Sequence, residues 1–538
     1  MFFIAAFQMV AAGDENIRKL QPRLVVGVVV DQMRYDYLYR FYDQYSEKGF
    51  KRLMSEGMNF TYAHFNYIPT YTGPGHASIY TGTIPYYHGI ISNSWYDKIL
   101  KKSIYCADDL DVTTVGADHD HGRVSPENLL ATTMTDQLRM SNNGLSRVYA
   151  LSIKDRAAIL PGGHMANAAY WYDENSGNFI SSSWYMKALP LWVEQFNSRK
   201  FPEQLMLSEW QLESGKDYQV SMPDDGPGEN DIFKEGKTTF PHQFTKLTRS
   251  EKLDAIKSTP FGNDLLADFF IDLLKNEKAG QGLYCDFISL SFSSPDYIGH
   301  SYGPNSMEIM DTYLKLDNQI ARILDTLDRC IGKGNYLLFL TADHGVKPNN
   351  AYLEANRIKG GHVVSKGIRE QLSTFCKDQF GHSHIIEAVE ANQIYLDHAL
   401  LDSLRLSSFE VENMLINYMR DHFQFMGKIL TRKDLVKQSP ERSMNSFLIN
   451  GYNILRAGDI AFEFVPNYIL SGYGAGGTSH ESQYDYDTHV PLLFYGWHIE
   501  PGESNQEVFI EDIAPTITNL IHVQEPDATI GIPIIQYK

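Results

Sequence analysis

Two short stretches of the sequence set a carboxylate beside an imidazole at spacings suited to a divalent metal. Asp296 and His300 lie four residues apart, which brings both side chains to one side of a helical turn. Asp343 and His344 are adjacent, and Asp31 directly follows an apolar run. A further histidine, His480, sits in the glycine-rich segment GAGGTSH. Carboxylate oxygen and imidazole nitrogen are donors that zinc or a similar divalent ion accepts, and zinc prefers four ligands. Alone among 18 histidines, His480 reads as a surface or core residue; beside an Asp–His pair it gains meaning as a third ligand. A hydroxyl nucleophile has a place as well. In IPTYTGPGHASIYTG, Thr72 stands directly before Gly-Pro-Gly and a short helical pattern. Threonine is a good N-cap and proline favours the first helical turn. The free N–H groups and partial positive charge of a helix start attract phosphate. Taken alone this is a capping threonine, but metal coordination can activate such a hydroxyl without a histidine base. Thr70 is the rival hydroxyl, further from the helix start.

Elements must bring these groups together. Five short apolar runs, Leu24–Val30, Arg147–Ile153, Phe287–Phe292, Tyr336–Leu340 and Val490–Tyr495, are rich in β-branched or aromatic residues. Continuous runs of this length suit strands buried on both faces, as in a parallel sheet covered by helices. Helical patterns lie between them, for example Ser306–Leu327, with Gly332 and Gly334 marking the turn that follows. The expected fold is α/β: a doubly wound, mostly parallel sheet flanked by helices. Four of the five runs end at chemically useful residues: Asp31; Lys154 and Arg156; Asp296 and His300; Asp343 and His344. Open parallel sheets bind ligands at the carboxyl ends of their strands. One Asp after a strand is ordinary loop chemistry; several converging on one edge carry more weight. Two intervals, about 157–260 and 346–475, break the rhythm and read as insertions or a cap. The first contains a hairpin around Asn175–Gly177.

Composition sets the outer bounds. The chain has 538 residues, 43% hydrophobic, which is ample for a large core and excludes disordered or fibrous classes. Its net charge of −19 would repel nucleic-acid backbones and anionic membranes, so a nucleic-acid partner is not expected. A small anionic substrate remains compatible if positive charge is concentrated in a cleft. Residues 1–12, MFFIAAFQMVAA, are too short to span a bilayer and resemble the apolar part of a secretory signal without its basic start. Export, to a periplasm, is the expectation. Cys106, Cys285, Cys330 and Cys376 are widely spaced and include no CxxC. They form no zinc ribbon or redox motif; a disulfide in some pairing and four small buried hydrophobes both stay open.

The ordered set VVVDQMR, PTYTGPGH, HGIISNSWYD, SIKDRA, DYIGH, TADHG and GGTSH resembles the alkaline phosphatase superfamily. Within it the similarity is to single-chain zinc alkaline phosphatases of the PafA type, and it extends from about Arg23 nearly to the C-terminus as one catalytic domain, 23–538. The resemblance implies two zinc ions, one held by Asp296, His300 and His480, the other by Asp31, Asp343 and His344. It implies Thr72 as the nucleophile on the second ion and a phosphothreonine intermediate. It gives Asn93 a hydrogen bond to a phosphoryl oxygen. Lys154 and Arg156, two positions apart and so on one side of an extended segment, would reach the other phosphoryl oxygens. Small phosphate monoesters are the implied substrates. The rivals are a phosphodiesterase or nucleotide pyrophosphatase with the same metal ligands, and a catalytically silent metal- or phosphate-binding protein. A diester replaces one of the three terminal oxygens that Lys154 and Arg156 would help to bind, so these two residues favour the monoester. A sulfatase needs a modified Cys or Ser where this chain has Thr72.

Overall fold

The run LVVGVVV forms β1 (Leu24–Val30), buried along its whole length. It has a parallel neighbour on each side in an eleven-stranded sheet. The remaining strands of that sheet, in chain order, are β2 (Met58–His64), β3 (Thr114–Val115), β4 (Val148–Ser152), β5 (Ala168–Asp173), β6 (Asn178–Ser182), β7 (Asp286–Phe292), β8 (Tyr336–Thr341), β9 (His489–Val490), β10 (Leu492–Gly496) and β11 (Gly502–Phe509). Across the sheet the order is β9-β2-β10-β8-β1-β7-β4-β5-β6-β3, with β11 also on β2. The computed structural model describes residues 20–471 and 476–536; the apolar run 1–12 lies outside the described residues. Among the described residues no helix is long and apolar enough to cross a membrane.

The five central strands β8, β1, β7, β4 and β5 run parallel. Their side chains alternate between two buried layers, which explains why the runs are largely apolar on both faces. Tyr149, Leu151 and Tyr170 pack with Phe269 and Phe270 of the helix Pro260–Glu277. Ala150, Ala169 and Trp171 turn the other way, onto Ala158–Leu160. Those three belong to the second of four helices that matter for the site: α1 (Thr72–Thr81), α2 (Arg156–Gly162), α3 (Ser294–Tyr302) and α4 (Met307–Cys330). The helix expected over Ser306–Leu327 is α4, with Ser306 as its N-cap, accepting from the Ile309 N–H at 3.2 Å.

Two expectations need correction. The run Val490–Tyr495 is not one strand of the parallel set. Pro491, which has no N–H to give a ladder, separates β9 from β10, and β10 pairs antiparallel with β8. The direction follows from where the chain comes from: it has just left His480, at the carboxyl edge of the central strands, and must run back down the sheet. The interval 157–260 is only partly an insertion, because the hairpin of β5 and β6 turns at 174–177 and extends the main sheet. The question left open for the cysteines resolves to four free thiols, three of them buried and Cys330 partly so. The interval 346–475 does build its own layer: strands Ile386–Glu390, Gln393–Leu396, Ile460–Phe464 and Met426–Thr431 form a separate sheet around Leu372, Leu415, Ile394 and Phe462.

Gly27, in the middle of β1, shows how tightly α1 lies on the sheet. A Cβ there would meet Tyr80 Oη at 2.5 Å and Phe339 Cζ at 2.6 Å. Tyr80 is also tied to β7, its hydroxyl 2.7 Å from Ser289 Oγ. Overpacking a well-filled core costs about 1–3 kcal/mol. Gly27→Val is therefore expected to lower stability by about 2 kcal/mol, seen as a lower urea midpoint at unchanged slope. An unchanged midpoint would mean that α1 is free to move off the strand.

Candidate active site

The central strands deliver their polar followers to one edge. β1 runs into Asp31, β4 into Lys154, β7 into α3 with Asp296 and His300, and β8 into Asp343 and His344. His480 comes from the loop before β9. Asp296 lies in the first turn of α3 and His300 in the last, so their side chains stack on one face: His300 Nε2 is 3.1 Å from Asp296 Oδ1. His480 Nε2 lies 3.6 Å from the same oxygen. These three ligand atoms fall within 4.8 Å of one another.

A second group adjoins the first. Asp31, Asp296 and His344 also present ligand atoms within 4.8 Å. His344 Nε2 is 3.5 Å from Asp31 Oδ1 and 3.6 Å from Asp343 Oδ2. The His344 and His480 rings stack with centroids 3.4 Å apart, so the two groups share a wall. The structure thus gathers Asp31, Asp343 and His344, and it also brings Asp296 to the second group.

The donors are prepared for metal. Nδ1 of His300, His344 and His480 lies 2.7, 2.9 and 2.6 Å from the carbonyl oxygens of Thr478, Gly345 and Thr70. A carbonyl can only accept, so Nδ1 carries a proton and Nε2 is the atom each ring turns inward as a ligand. Burial lowers the pKa of His480 and His344, the former further because other imidazoles face it. Asp31 Oδ1 and Asp343 Oδ2 are buried without a hydrogen-bond partner. Burial, and then the nearby Asp343, push the Asp31 carboxyl well above its ordinary range. Burial would raise Asp343 too, but His344 and His76 hold it below that range. Lys154 Nζ answers part of the charge, 2.7 Å from Asp31 Oδ2 and 2.5 Å from Asp296 Oδ2. One ammonium against three buried carboxylates leaves the site negative, and divalent ions on the inward Nε2 atoms and orphaned oxygens fit that deficit.

Thr72 is the first residue of α1 rather than its cap; Tyr71 holds the N-cap position and makes no side-chain cap bond. The hydroxyl is therefore free to face the site. Thr72 Oγ1 lies 3.5 Å from His344 Nε2, 3.4 Å from Lys154 Nζ and 3.5 Å from Arg156 Nη2. Thr70 is occupied elsewhere, donating to the Ser482 carbonyl at 3.2 Å. Asn93 Oδ1 accepts the Gly73 N–H at 2.7 Å, which leaves its NH₂ group as a donor. Lys154 and Arg156 converge for a different reason than expected. The segment is not extended: Asp155 has helical angles and N-caps α2, whose first residue is Arg156. The helical bend, not strand alternation, brings both cations to Thr72.

Four neighbours were not anticipated. Gln32, at a left-handed φ of 65°, donates its N–H to Asp343 Oδ1 at 3.2 Å and its side-chain amide to Asp296 Oδ1 at 2.5 Å. His76 Nδ1 is 2.9 Å from the Thr72 carbonyl and 3.4 Å from Asp343 Oδ2, while Nε2 meets Ser291 Oγ at 2.9 Å. Its place four residues after Thr72 is a signal that helical spacing offers. Tyr105 receives Arg156 Nη1 at 3.2 Å and donates to Asp155. Tyr297 lies under the Lys154 ammonium, 5.0 Å from ring centroid to Nζ. Nothing in the sequence singles out either tyrosine.

A parallel α/β sheet with these ligand groups along its carboxyl edge places the chain in the alkaline phosphatase superfamily. More narrowly, it belongs to the type I phosphodiesterase / nucleotide pyrophosphatase family, whose sequence model matches residues 25–397. Alkaline phosphatase PafA of Elizabethkingia meningoseptica is 40% identical over 518 residues, covering 96% of this chain and 94% of that protein. Alkaline phosphatase PhoV of Synechococcus elongatus is 41% identical, over 95% and 92% of the two chains. A protein named calcium-transporting ATPase, from Myroides odoratus, is 39% identical over 98% and 96%. The crystal structure of wild-type PafA superposes with a TM-score of 0.91 at 39% identity, covering 96% of this chain and 98% of that one. A PafA variant substituted at a threonine, an asparagine, a lysine and an arginine superposes equally well.

The ligand groups predict separable metal losses. His480→Ala is expected to lose the metal of the first group and keep that of the second, because His480 belongs to the first group alone. Asp31→Asn is expected to lose the other. Metal analysis after dialysis checks both; a simultaneous loss in either variant would mean that the two groups bind as one cluster.

Proposed function

We propose that this enzyme hydrolyses phosphate monoesters through a phosphothreonine formed on Thr72, with two zinc ions at the Asp–His groups. The observation that carries the reading is the convergence of His344, Lys154 and Arg156 on a single hydroxyl oxygen, all at 3.4–3.5 Å. Asp296, His300 and His480 would hold one ion, and Asp31, Asp343 and His344 the other. When bound, such ions supply Lewis acidity that lowers the hydroxyl pKa and stabilises the departing ester oxygen.

The remaining chemistry belongs to the chain. Thr72 Oγ1 attacks phosphorus; the new P–O bond forms as the ester P–O bond breaks and the alcohol leaves. Water then attacks the phosphothreonine, releasing phosphate and restoring the hydroxyl. Arg156 can bind phosphoryl oxygens in bidentate fashion, Lys154 acts as a point charge, and the Asn93 NH₂ adds a third donor. Donors fixed before substrate arrives need no reorganisation as charge develops on phosphorus, which is where such sites gain most of their rate. Tyr105 accepts from the guanidinium and is itself held by donating to Asp155.

The family's name includes phosphodiesterases, and the choice between the two substrates rests on oxygen count. A monoester offers three terminal oxygens; a diester offers two. Two cations plus an amide beside the nucleophile match the larger number. The same four residue types, threonine, asparagine, lysine and arginine, are those replaced in the PafA variant.

The test compares kcat/KM for an aryl phosphate monoester and the matching diester at alkaline pH. The wild type should prefer the monoester strongly. Lys154→Ala and Arg156→Ala should each lower the monoester value by roughly 10²-fold, a typical cost of one fixed donor, and change the diester value far less. Acid-quenched enzyme should carry phosphate on Thr72, and Thr72→Ala should carry none. A diester preference, or label on another residue, would overturn the reading.

A further inference from the structure

A second set of metal-ligating side chains lies apart from the centre described above. His119 and His121 occupy the loop after β3, and Asp173 ends β5. One ligand atom from each falls within 4.8 Å of the other two. We propose that His119, His121 and Asp173 hold a third divalent cation, of the zinc class, on the wall of the cavity that contains Lys154 and Arg156.

The three side chains are held by the sheet rather than by chance contact. β3 pairs with β6, and β6 pairs with β5, so the histidine loop and Asp173 are fixed through one shared strand. The loop is fastened at its base: Gly122 N–H donates to Thr114 Oγ1 at 2.9 Å, and the Thr114 hydroxyl donates to the His119 carbonyl at 2.5 Å. Asp173 is only 4% exposed. Its Oδ2 accepts the Ser176 N–H at 3.0 Å and the Ser176 hydroxyl at 2.5 Å, and its Oδ1 accepts the Asn175 N–H at 3.3 Å. It is an oriented carboxylate, with hairpin groups supplying the outer contacts that fix metal-binding carboxylates.

His119 Nε2 sits 3.0 Å from Asp173 Oδ2. Nδ1 of the same ring accepts the His121 N–H at 3.3 Å, so a cation bound at Nε2 would take up the Asp173 contact as the ring proton shifts to Nδ1 and that long bond is given up. An interaction that served only to fasten the hairpin would need His119 alone. His121 is the feature that such a role leaves unexplained. Its ring centroid is 4.8 Å from that of His119, and Asn175 holds the ring at Nδ1, 2.8 Å away. Two imidazoles and one carboxylate, with His121 on the exposed side to admit water as a fourth ligand, make a zinc-type set with an open position.

The location gives the ion a use. One cavity is lined by His121, Asp173 and Glu174 as well as by Lys154, Arg156 and Tyr297. A cation there would add positive charge to a wall already bearing an ammonium and a guanidinium, favouring esters with a second anionic group. The metal assignment itself does not depend on the role of Thr72.

The test is metal content of the full-length protein after equilibration with buffered zinc and dialysis. His121→Ala removes a ligand without disturbing the Asp173 turn, and His119→Gln keeps a donor to Asp173. Each variant is expected to hold one zinc equivalent fewer than wild type, with an unchanged melting temperature. Combined with His480→Ala, either should lose two equivalents, which separates this site from the central pair. Equal zinc content in wild type, His121→Ala and His119→Gln would overturn the proposal, whatever the enzyme's activity.

Discussion

Asp31, Asp296 and Asp343 are buried together, and the mutual repulsion of their charges in a poorly solvated interior constrains everything around them. Two unit charges about 4 Å apart repel by roughly 4 kcal/mol even at an effective dielectric constant near 20. The fold meets this cost with positive and polarised groups aimed at the same point. Lys154 bridges two of the carboxylates. Gln32 gives one N–H to Asp343 and another to Asp296. Asp296 stands in the first turn of α3, where the helix end is partially positive. What stays unanswered is the pair of bare oxygens on Asp31 and Asp343, which is where cations belong.

Holding that arrangement requires close backbone approach from several directions. Gly75 in α1 passes so near the Asp343 carbonyl that a Cβ would lie 2.3 Å from it. Gly27 lets the same helix lie on β1, so the position of Thr72 is set by packing rather than by its own hydrogen bonds. The three imidazoles are aimed by carbonyls at Thr70, Gly345 and Thr478, none of them on the element that carries the other two. The site is therefore a property of the folded sheet edge, and no single segment contains it.

Much of this was legible in the sequence because it rests on local signals. The buried strands announce themselves as continuous apolar runs, and the residues that follow them are the ones that reach the edge. Asp296 and His300 follow from helical spacing, and α4 from its period and the glycines that follow it. The misread parts share a physical cause: they depend on direction or on tertiary contact. Nothing in VPLLFY says which way β10 runs; that is set by the chain's exit from the site. Lys154 and Arg156 were placed on one side of an extended strand, but the Asp155 cap had already turned the chain into a helix. Gln32 had no signal beyond standing next to Asp31, since its role depends on a left-handed turn and two distant carboxylates. The hairpin of β5 and β6 read as decoration because local pattern cannot tell an edge pair of the main sheet from a separate layer.

The acidic net charge and the anionic substrate are reconciled by distance. At physiological ionic strength, exposed charges are largely screened beyond about 8 Å, so acidic residues scattered over the surface barely oppose a dianion already inside the cleft. The field there is set by Lys154, Arg156 and whatever ions the Asp–His groups bind. Two different walls meet that field. On one side, His121, Asp173, Glu174, Trp171 and Tyr297 line the cavity beside the cations. On the other, Tyr71, Ser92 and Asn93 share a cavity with Val364, Lys366 and Leu470 from the separate small-sheet layer. On the proposed reading the phosphoryl group would meet the edge of the central sheet, where geometry is constrained by buried charge. On the same reading the alcohol would leave toward walls built from a hairpin, a loop and an inserted layer, which can change without disturbing those carboxylates. Substrate choice is free to diverge there while the chemistry stays fixed.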